Sequence, residues 1–445
     1  MALPVGSSIL AGEDVRRTVL DNGLIVLTKE LHSSPIVTSM IWYRVGSRNE
    51  ELSQTGKSHF LEHMLFKGTS RFKKGQIDLL TLKNGGNNNA FTSHDFTAYY
   101  FNFASDRWSI ALEIEADRMV NCVFDPEEFE SEKKVVIEEL KGGLDSPWGL
   151  LVQEVNAAAY KVHPYRNPVI GWLQDVERAT AEQQQSYYRK HYQPNNAILA
   201  LAGDFETERV LDDVAKRFGS IPAGIPTVPV NIIEPEQNGE KRIIVRWRSK
   251  VPRVAIAYHA PAIAAPHSYA LQILGIILSE GKSSRLYQRL VERDQTVTFI
   301  STDYGESQDP TLFHIRAEGR GQHTAEEIES SVYDELNRLV SDGITEVELA
   351  RAKHQIQAHF ILSRERTADQ AMLFGQIETL CGLNYIDTYI ERISAITAAD
   401  VSAACSRFLK ADNRTVGHLL PDGTLTDDET GTIPVDDEED ANEGD

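Results

Sequence analysis

Residues 23–29 and 36–45 are rich in Val, Ile, Thr and aromatic side chains, with partial alternation at a period of two. That period predicts strands. Residues 242–247 and 253–259 repeat the pattern at the opening of the second half. Elsewhere the apolar spacing lengthens to that of helices, as over residues 325–341 and 347–360, whose charges gather on one face. Strands followed by groups of helices predict an α+β architecture rather than a doubly wound sheet. The longest apolar run, around residues 269–278, is far short of the roughly 20 residues a bilayer span requires.

Between the two halves, residues 219–240 hold Pro222, Pro226, Pro229 and Pro235 with little periodicity, which predicts a linker. A repeat straddles it. One helical pattern opens at Thr180, ends in Tyr192-Gln193-Pro194-Asn195-Asn196 and runs into the apolar stretch 198–202. A second opens at Thr397, ends in Ala411-Asp412-Asn413 and runs into residues 415–420. Thr180 and Thr397 are 217 residues apart, as are Asn196 and Asn413, so the register holds without a gap. Each copy reads as helix, Asn-containing turn and strand, and an offset near half of the 445 residues points to duplication. The chain then divides into an N-terminal domain at 1–220, a linker at 221–240, a homologous C-terminal domain at 241–421 and a tail at 422–445.

A content of 41% hydrophobic and 25% charged residues is that of a soluble globular protein. The formal charge of −21 is unevenly placed: the tail has eleven acids and no Lys or Arg, and reads as a solvated, disordered segment. Without those eleven acids the remainder stands at −10, which argues against nucleic acid as a partner. Cys122, Cys381 and Cys405 are too few and too scattered for a disulfide framework or a Cys-type zinc knuckle, and read as buried thiols. Residues 1–30 show no basic region followed by an apolar stretch. The chain is therefore expected in the cytoplasm, or as a mature periplasmic form whose leader has been removed, and the compartment stays open.

The chemistry concentrates in one short segment. Thr55-Gly56-Lys57-Ser58 offers a helix N-cap, and Phe60, Leu61, Met64 and Leu65 give the following helix apolar surface. On that helix His59, Glu62 and His63 stand at i, i+3 and i+4 and share one face. Two neutral imidazoles one turn apart can hold one metal ion while the adjacent carboxylate reaches the water beside it. The order H-x-x-E-H is that of the inverzincins. Three polar side chains on an exposed helix face would be the bland alternative, but the flanks are strongly apolar, and buried imidazole and carboxylate need partners. A catalytic zinc site also needs a third protein ligand. Glu132 and Glu139 are seven apart, hence on one face of a second helix with Val136 between them, whereas Glu138 points towards solvent. Spacing alone leaves Glu139 open between ligand and surface charge. His354 and His359, five apart on a helix, do not share a face and make no second site; His94 reads as a surface or supporting residue.

The run from Gly56 to Thr69, GKSHFLEHMLFKGT, resembles the signature of the pitrilysin/insulysin zinc peptidases, most of all their short, processing-peptidase-like subfamily. Residues 86–100, with Asn89-Ala90-Phe91-Thr92 and Thr97-Ala98-Tyr99-Tyr100, resemble a second family segment, and residues 132–140 a third. The likeness is strong in the N-terminal half and weak in the C-terminal half. It implies two homologous half-domains, each an antiparallel-rich sheet packed with helices, together forming half of a clam-shaped peptidase. It implies one Zn2+ per chain, held by His59, His63 and Glu139, with Glu62 as general base and Glu132 as the carboxylate that supports the ligands. It also implies an edge strand at Asn89, Ala90 and Phe91 that pairs with the substrate backbone. The residues alone leave room for Asn89 as a turn residue after Gly85-Gly86. His163, in a turn common in the family, is expected to be structural.

One departure stands out. Self-sufficient members carry an Arg and a Tyr, seven apart after a Ser-Ser-Arg-Leu-like run, that steady the substrate carbonyl. Aligned on Ser283-Ser284-Arg285-Leu286, those positions hold Val291 and Thr298, and Arg293 nearby is followed seven later by Ile300. The resemblance therefore implies a zinc metalloendopeptidase acting on short or unfolded peptides, as one subunit of a heterodimer whose homologous partner supplies the Arg/Tyr pair. The alternatives are a non-catalytic core or docking subunit of a larger assembly, and a self-sufficient oligopeptidase.

Overall fold

The computed structural model describes residues 7–9 and 15–423. Of the predicted acidic tail only Asp422 and Gly423 fall among them; the rest lies outside the described residues, as do residues 1–6 and 10–14. Twelve strands form two sheets among the described residues. The first contains β1 (Ser7–Ile9), β2 (Arg16–Val19), β3 (Ile25–Glu30), β4 (Ile36–Tyr43), β5 (Asn87–Thr92), β6 (Thr97–Ala104) and β7 (Ala197–Gly203). The second contains β8 (Lys241–Trp247), β9 (Arg253–Ala260), β10 (Val297–Tyr304), β11 (Thr311–Gly319) and β12 (Arg414–Pro421).

The strand orders are β1-β2-β3-β7-β4-β6-β5 and β10-β11-β9-β12-β8. Read outward from β7 and from β12, the five shared strands follow one plan. In each sheet a single parallel pair, β3 with β7 or β8 with β12, sits within otherwise antiparallel neighbours. The 217-residue offset carries the first residue of β4 onto the first of β9, and the first of β7 onto the first of β12. The sheets are antiparallel-rich, and the architecture is α+β.

The helices of the first half are α1 (Lys57–Met64), α2 (Gln76–Lys83), α3 (Ser109–Asn121), α4 (Pro126–Leu144), α5 (Pro147–Ala159), α6 (Leu173–Arg178), α7 (Ala181–His191) and α8 (Thr207–Phe218). Those of the second are α9 (Ser268–Ser279), α10 (Ala325–Asp342), α11 (Glu346–Leu362), α12 (Thr367–Leu380), α13 (Asn384–Ala395) and α14 (Ala398–Phe408). A π-helical turn spans Tyr287–Arg293. The repeat read from the sequence appears as α7 and α14: Thr180 and Thr397 each cap the helix N-terminus through a reciprocal capping box, each helix ends in a short 3-10 turn containing Asn, and a strand follows. The apolar run near residue 270 is α9, a core helix with Leu271, Ile273, Leu274, Ile277 and Leu278 fully buried. No helix of the described residues is long and apolar enough to cross a membrane. Residues 219–240 carry no helix or strand.

Each sheet packs its own helices on one face and borrows a helix for the other. Trp42, Ile198 and Ala200 of the first sheet bury against Ala371, Phe374 and Ile377 of α12. Ala255, Ala257 and Leu419 of the second bury against Leu151, Val155 and Ala159 of α5. Glycine permits both approaches. A Cβ on Gly375 would stand 1.9 Å from Trp42 Nε1, and one on Gly417 would stand 2.4 Å from Val155 Cγ2. Cys122 and Cys405 are buried as expected, whereas Cys381 at the end of α12 is only half-buried.

Candidate metal centre

The helix that carries the motif is held at its start by an unexpected residue. Gly56 is the N-cap, in the left-handed region at φ 87°, and a Cβ there would meet the Ile170 carbonyl oxygen at 2.4 Å. The N-cap thus falls within the segment Thr55-Gly56-Lys57-Ser58, as the sequence suggested, but it is a glycine and brings no side-chain cap of its own. The Glu50 carboxylate accepts from the backbone N–H of Gly56 and of Ser58, both at 2.7 Å, and so satisfies donors the helix leaves open. Thr55 Oγ1 instead donates to Asp175 (2.7 Å) and accepts from the Trp172 N–H (2.9 Å). Phe60, Leu61 and Met64 turn into the core, and Phe60 stacks on Phe129 of α4 with ring centroids 4.5 Å apart. This stack fixes α1 against α4. Asp125 sets where α4 begins, accepting from the N–H groups of Glu127 and Glu128 at 3.0 Å ahead of Pro126. The α4 face that carries Glu132, Val136 and Glu139 then meets the α1 face that carries His59 and His63, with Val136 fully buried.

His59 Nε2 lies 3.6 Å from one Glu139 oxygen and His63 Nε2 3.4 Å from the other. Tetrahedral ligands about 2.1 Å from zinc stand about 3.4 Å from one another, so both separations suit a shared ion. Ligand atoms of His59, His63 and Glu139 all fall within 4.8 Å of one another, the one group of its kind among the described residues. Glu132 Oε1 accepts from His63 Nδ1 at 2.9 Å, which leaves Nε2 as the lone-pair nitrogen facing Glu139. Lys67 pairs with the other Glu132 oxygen. Glu62 stands on the same helix face, and Thr92 Oγ1 at the end of β5 donates to Glu62 Oε2 at 2.5 Å. Glu138 is exposed and paired with Lys141 at 2.8 Å, as its position on α4 implied.

Electrostatics differ across these few ångströms. Burial pulls His59 down to about 4, with His63 adding to the effect, so its imidazole is neutral and its lone pair free at neutral pH. Burial also presses His63 down, but Glu132, Glu139 and Glu62 together lift it above the usual value. Burial raises the Glu62 carboxyl, and the Thr92 hydrogen bond offsets part of that. Burial pushes Glu132 upward too, yet His63 and Lys67 outweigh it and hold this carboxyl below the ordinary range.

Asn89, Ala90 and Phe91 lie on β5, so Asn89 is a strand residue and not a turn residue. β5 ends the sheet and pairs only with β6 among the described strands, which leaves its outer backbone edge open. A cavity of about 490 Å3 adjoins the ligand group and is lined by Glu139, His94, Asn156 and Tyr165. His94 is half-buried: its Nδ1 lies 2.7 Å from Ser47 Oγ, and burial holds it down at about 4. Beside it a network ties the two halves. Arg48 binds Asp95 at 3.2 Å and Asp309 at 2.8 Å, Tyr165 donates to Asp95 at 2.6 Å, and His163 Nε2 reaches Asp309 at 3.1 Å. His163 is thus structural, as expected. His354 and His359 are both exposed on α11. Val291 packs on the second core from the π-helical turn, and Thr298 on β10 is exposed, with Oγ1 3.4 Å from Glu318.

Comparison with known proteins adds an independent line. Residues 25–172 match the family model described as Insulinase (Peptidase family M16), and residues 178–356 match that of the Peptidase M16 inactive domain. The chain is 30% identical over 409 residues to zinc protease PqqE of Helicobacter pylori, covering 90% of this chain and 92% of that protein. It is 28% identical over 416 residues to an uncharacterized zinc protease, YmxG, of Bacillus subtilis, covering 92% and 99%. A crystal structure of a protease from Helicobacter pylori superposes with a TM-score of 0.88 at 30% identity, over 91% of this chain and 99% of that one.

Proposed function

The chain belongs to peptidase family M16, and from that premise we propose that it is a zinc-dependent endopeptidase whose metal is held by His59, His63 and Glu139. The observation that carries this reading is the meeting of α1 and α4, which sets two imidazole Nε2 atoms 3.6 and 3.4 Å from the two oxygens of one carboxylate. Zinc bound there would lower the pKa of a water towards about 7 and polarise the scissile carbonyl. Glu62, one turn after His59 and next to His63, takes the proton of the attacking water and then delivers it to the leaving amine as the C–N bond breaks. Burial raises the Glu62 carboxyl above its ordinary value, and Thr92 holds one of its oxygens and leaves the other free. Glu132 holds the His63 ring in the tautomer that offers Nε2, and Lys67 keeps Glu132 ionised.

Substrate is read as an added strand on the open edge of β5, with Asn89, Ala90 and Phe91 beside its backbone; main-chain pairing of this kind tolerates many sequences. Val291 and Thr298 stand where the Arg and Tyr of self-sufficient members are expected, and neither can stabilise a developing oxyanion. Loss of one such donor typically reduces rate by about 10²–10³. The active form is therefore a heterodimer, with a homologous partner supplying the pair and closing a chamber that admits short or unfolded peptides. The test is peptide cleavage by the chain alone and with the protein it captures from its native source, beside Glu62→Gln. Full activity of the purified chain alone would remove the heterodimer. Zinc below about 0.2 per chain after purification at neutral pH would favour a non-catalytic docking subunit, because an intact site of this kind retains its metal.

A further inference from the structure

Advancing 217 residues from the ligand group leads to a cavity of about 640 Å3 in the second half. The pair α1 and α4 recurs there as α9 and α11, again packed together. At that offset His59 is replaced by Ile276, His63 by Glu280 and Glu139 by Ile356, and all three replacements line the cavity. Glu62 is replaced by Ser279 and Glu132 by Leu349. Even the contact that steadies Glu62 has a counterpart: Ser279 Oγ lies 2.7 Å from Thr302 Oγ1, on the edge strand β10. The cleft keeps its walls while its metal ligands give way to an apolar floor.

His359 and Phe360 of α11, Leu373 of α12, and Tyr385 and Tyr389 of α13 add to that lining. Two carboxylates, Glu280 and Glu306, stand among these side chains, and no Lys or Arg does. Glu306 accepts from Gln376 Nε2 at 3.1 Å, and neither carboxylate has an ion pair among the described residues. On the same wall Gln355 Oε1 is buried without a hydrogen-bond partner. The charged groups converging here are two carboxylates, beside the imidazole of His359 and the hydroxyls of Ser363, Tyr385 and Tyr389, in apolar surroundings of a volume typical for small ligands.

We propose that this second-half cleft binds an amphipathic cation, an apolar body carrying one positively charged donor group. An anion would face two carboxylates that nothing neutralises, and a neutral apolar molecule would leave the acceptors unsatisfied. The shared chemistry could come from an apolar peptide with an ammonium or guanidinium group, or from a small alkyl- or arylamine. Neither source depends on zinc in the first half.

Calorimetric titration of the full chain with n-hexylammonium, 1-hexanol and hexanoate tests this. Hexylammonium should bind about tenfold more tightly than hexanol, the worth of a charged hydrogen bond, and hexanoate should not bind. Glu280 and Glu306 are both exposed, so Glu280→Gln combined with Glu306→Gln leaves the fold intact and should erase the preference for the cation. Ile276→Trp, which fills the cavity, should weaken hexylammonium and hexanol alike. In Glu62→Gln, which does not cleave, displacement of hexylammonium by Phe-Arg-amide assigns the site to peptides, and no displacement assigns it to small amines. Equal affinity for hexylammonium and hexanol, or a preference that survives the double substitution, overturns the proposal.

Discussion

The pair α1 and α4 and the pair α9 and α11 hold the same place in the same plan, yet one gathers His59, His63 and Glu139 and the other Ile276, Glu280 and Ile356. The backbone therefore supplies two clefts, and a handful of side chains decides which one gathers candidate metal ligands. The contrast is also one of support. Around the first cleft Glu50, Thr92, Glu132 and Lys67 each hold a candidate site residue or its helix, and each does so through a charge or a short hydrogen bond. Around the second, Leu349 stands at the Glu132 position, and the bracing present, Ser279 with Thr302, Tyr389 with Gln272 and Arg285 with Glu348, holds the helices and no candidate metal ligand. The surroundings of a metal site are part of its construction, and they were exchanged together with the ligands.

The most severe way to break the comparison is to remove the metal. A chelator should abolish peptide hydrolysis, and added zinc should restore it, while hexylammonium binding in the second half stays unchanged. Loss of both together would mean the two clefts are coupled. Next in size, Glu62→Gln should lower kcat by about 10²–10⁴ with zinc content unaltered; metal analysis beside the assay shows whether the carboxylate acts as base or as ligand. Glu132→Gln should weaken zinc affinity or activity about 10–100-fold, whereas Leu349→Gln at the matching position should leave both alone. A competition titration against a zinc chelator reads the difference.

Smaller effects test the helix exchange that joins the halves. Gly375→Ala and Gly417→Ala each drive a methyl group into a neighbour at an impossible distance, Trp42 in one case and Val155 in the other. Overpacking of this kind is worth about 1–3 kcal/mol, and urea unfolding should show both variants destabilised to a similar degree. Unfolding midpoints that do not move would mean that α12 and α5 lie loosely on their sheets.

How much of this was legible depended on how far apart in the chain the interacting residues are. His59, Glu62 and His63 share a helix face through local periodicity alone, and Glu132 and Glu139 share another for the same reason, so both faces were readable from spacing. The 217-residue register of Thr180 with Thr397 likewise needed only the chain itself, and it extends to whole strands in the structure. The role of Glu50 was not readable, because a cap supplied from outside the helix leaves no pattern at the cap position. The contact of Thr92 with Glu62 was not readable either, because it spans thirty residues of chain and depends on the return of an edge strand.

By itself, then, the sequence determined the elements, the duplication and the pair of helical faces that bear the candidate ligands, since each rests on contacts between near neighbours. Only the tertiary structure decided that the two faces meet at ligand distance. It also decided that α5 and α12 trade sheets, and that Asp309 of one half joins Arg48 and Asp95 of the other. Those are contacts between distant segments, fixed by packing a common core, and no local period encodes them.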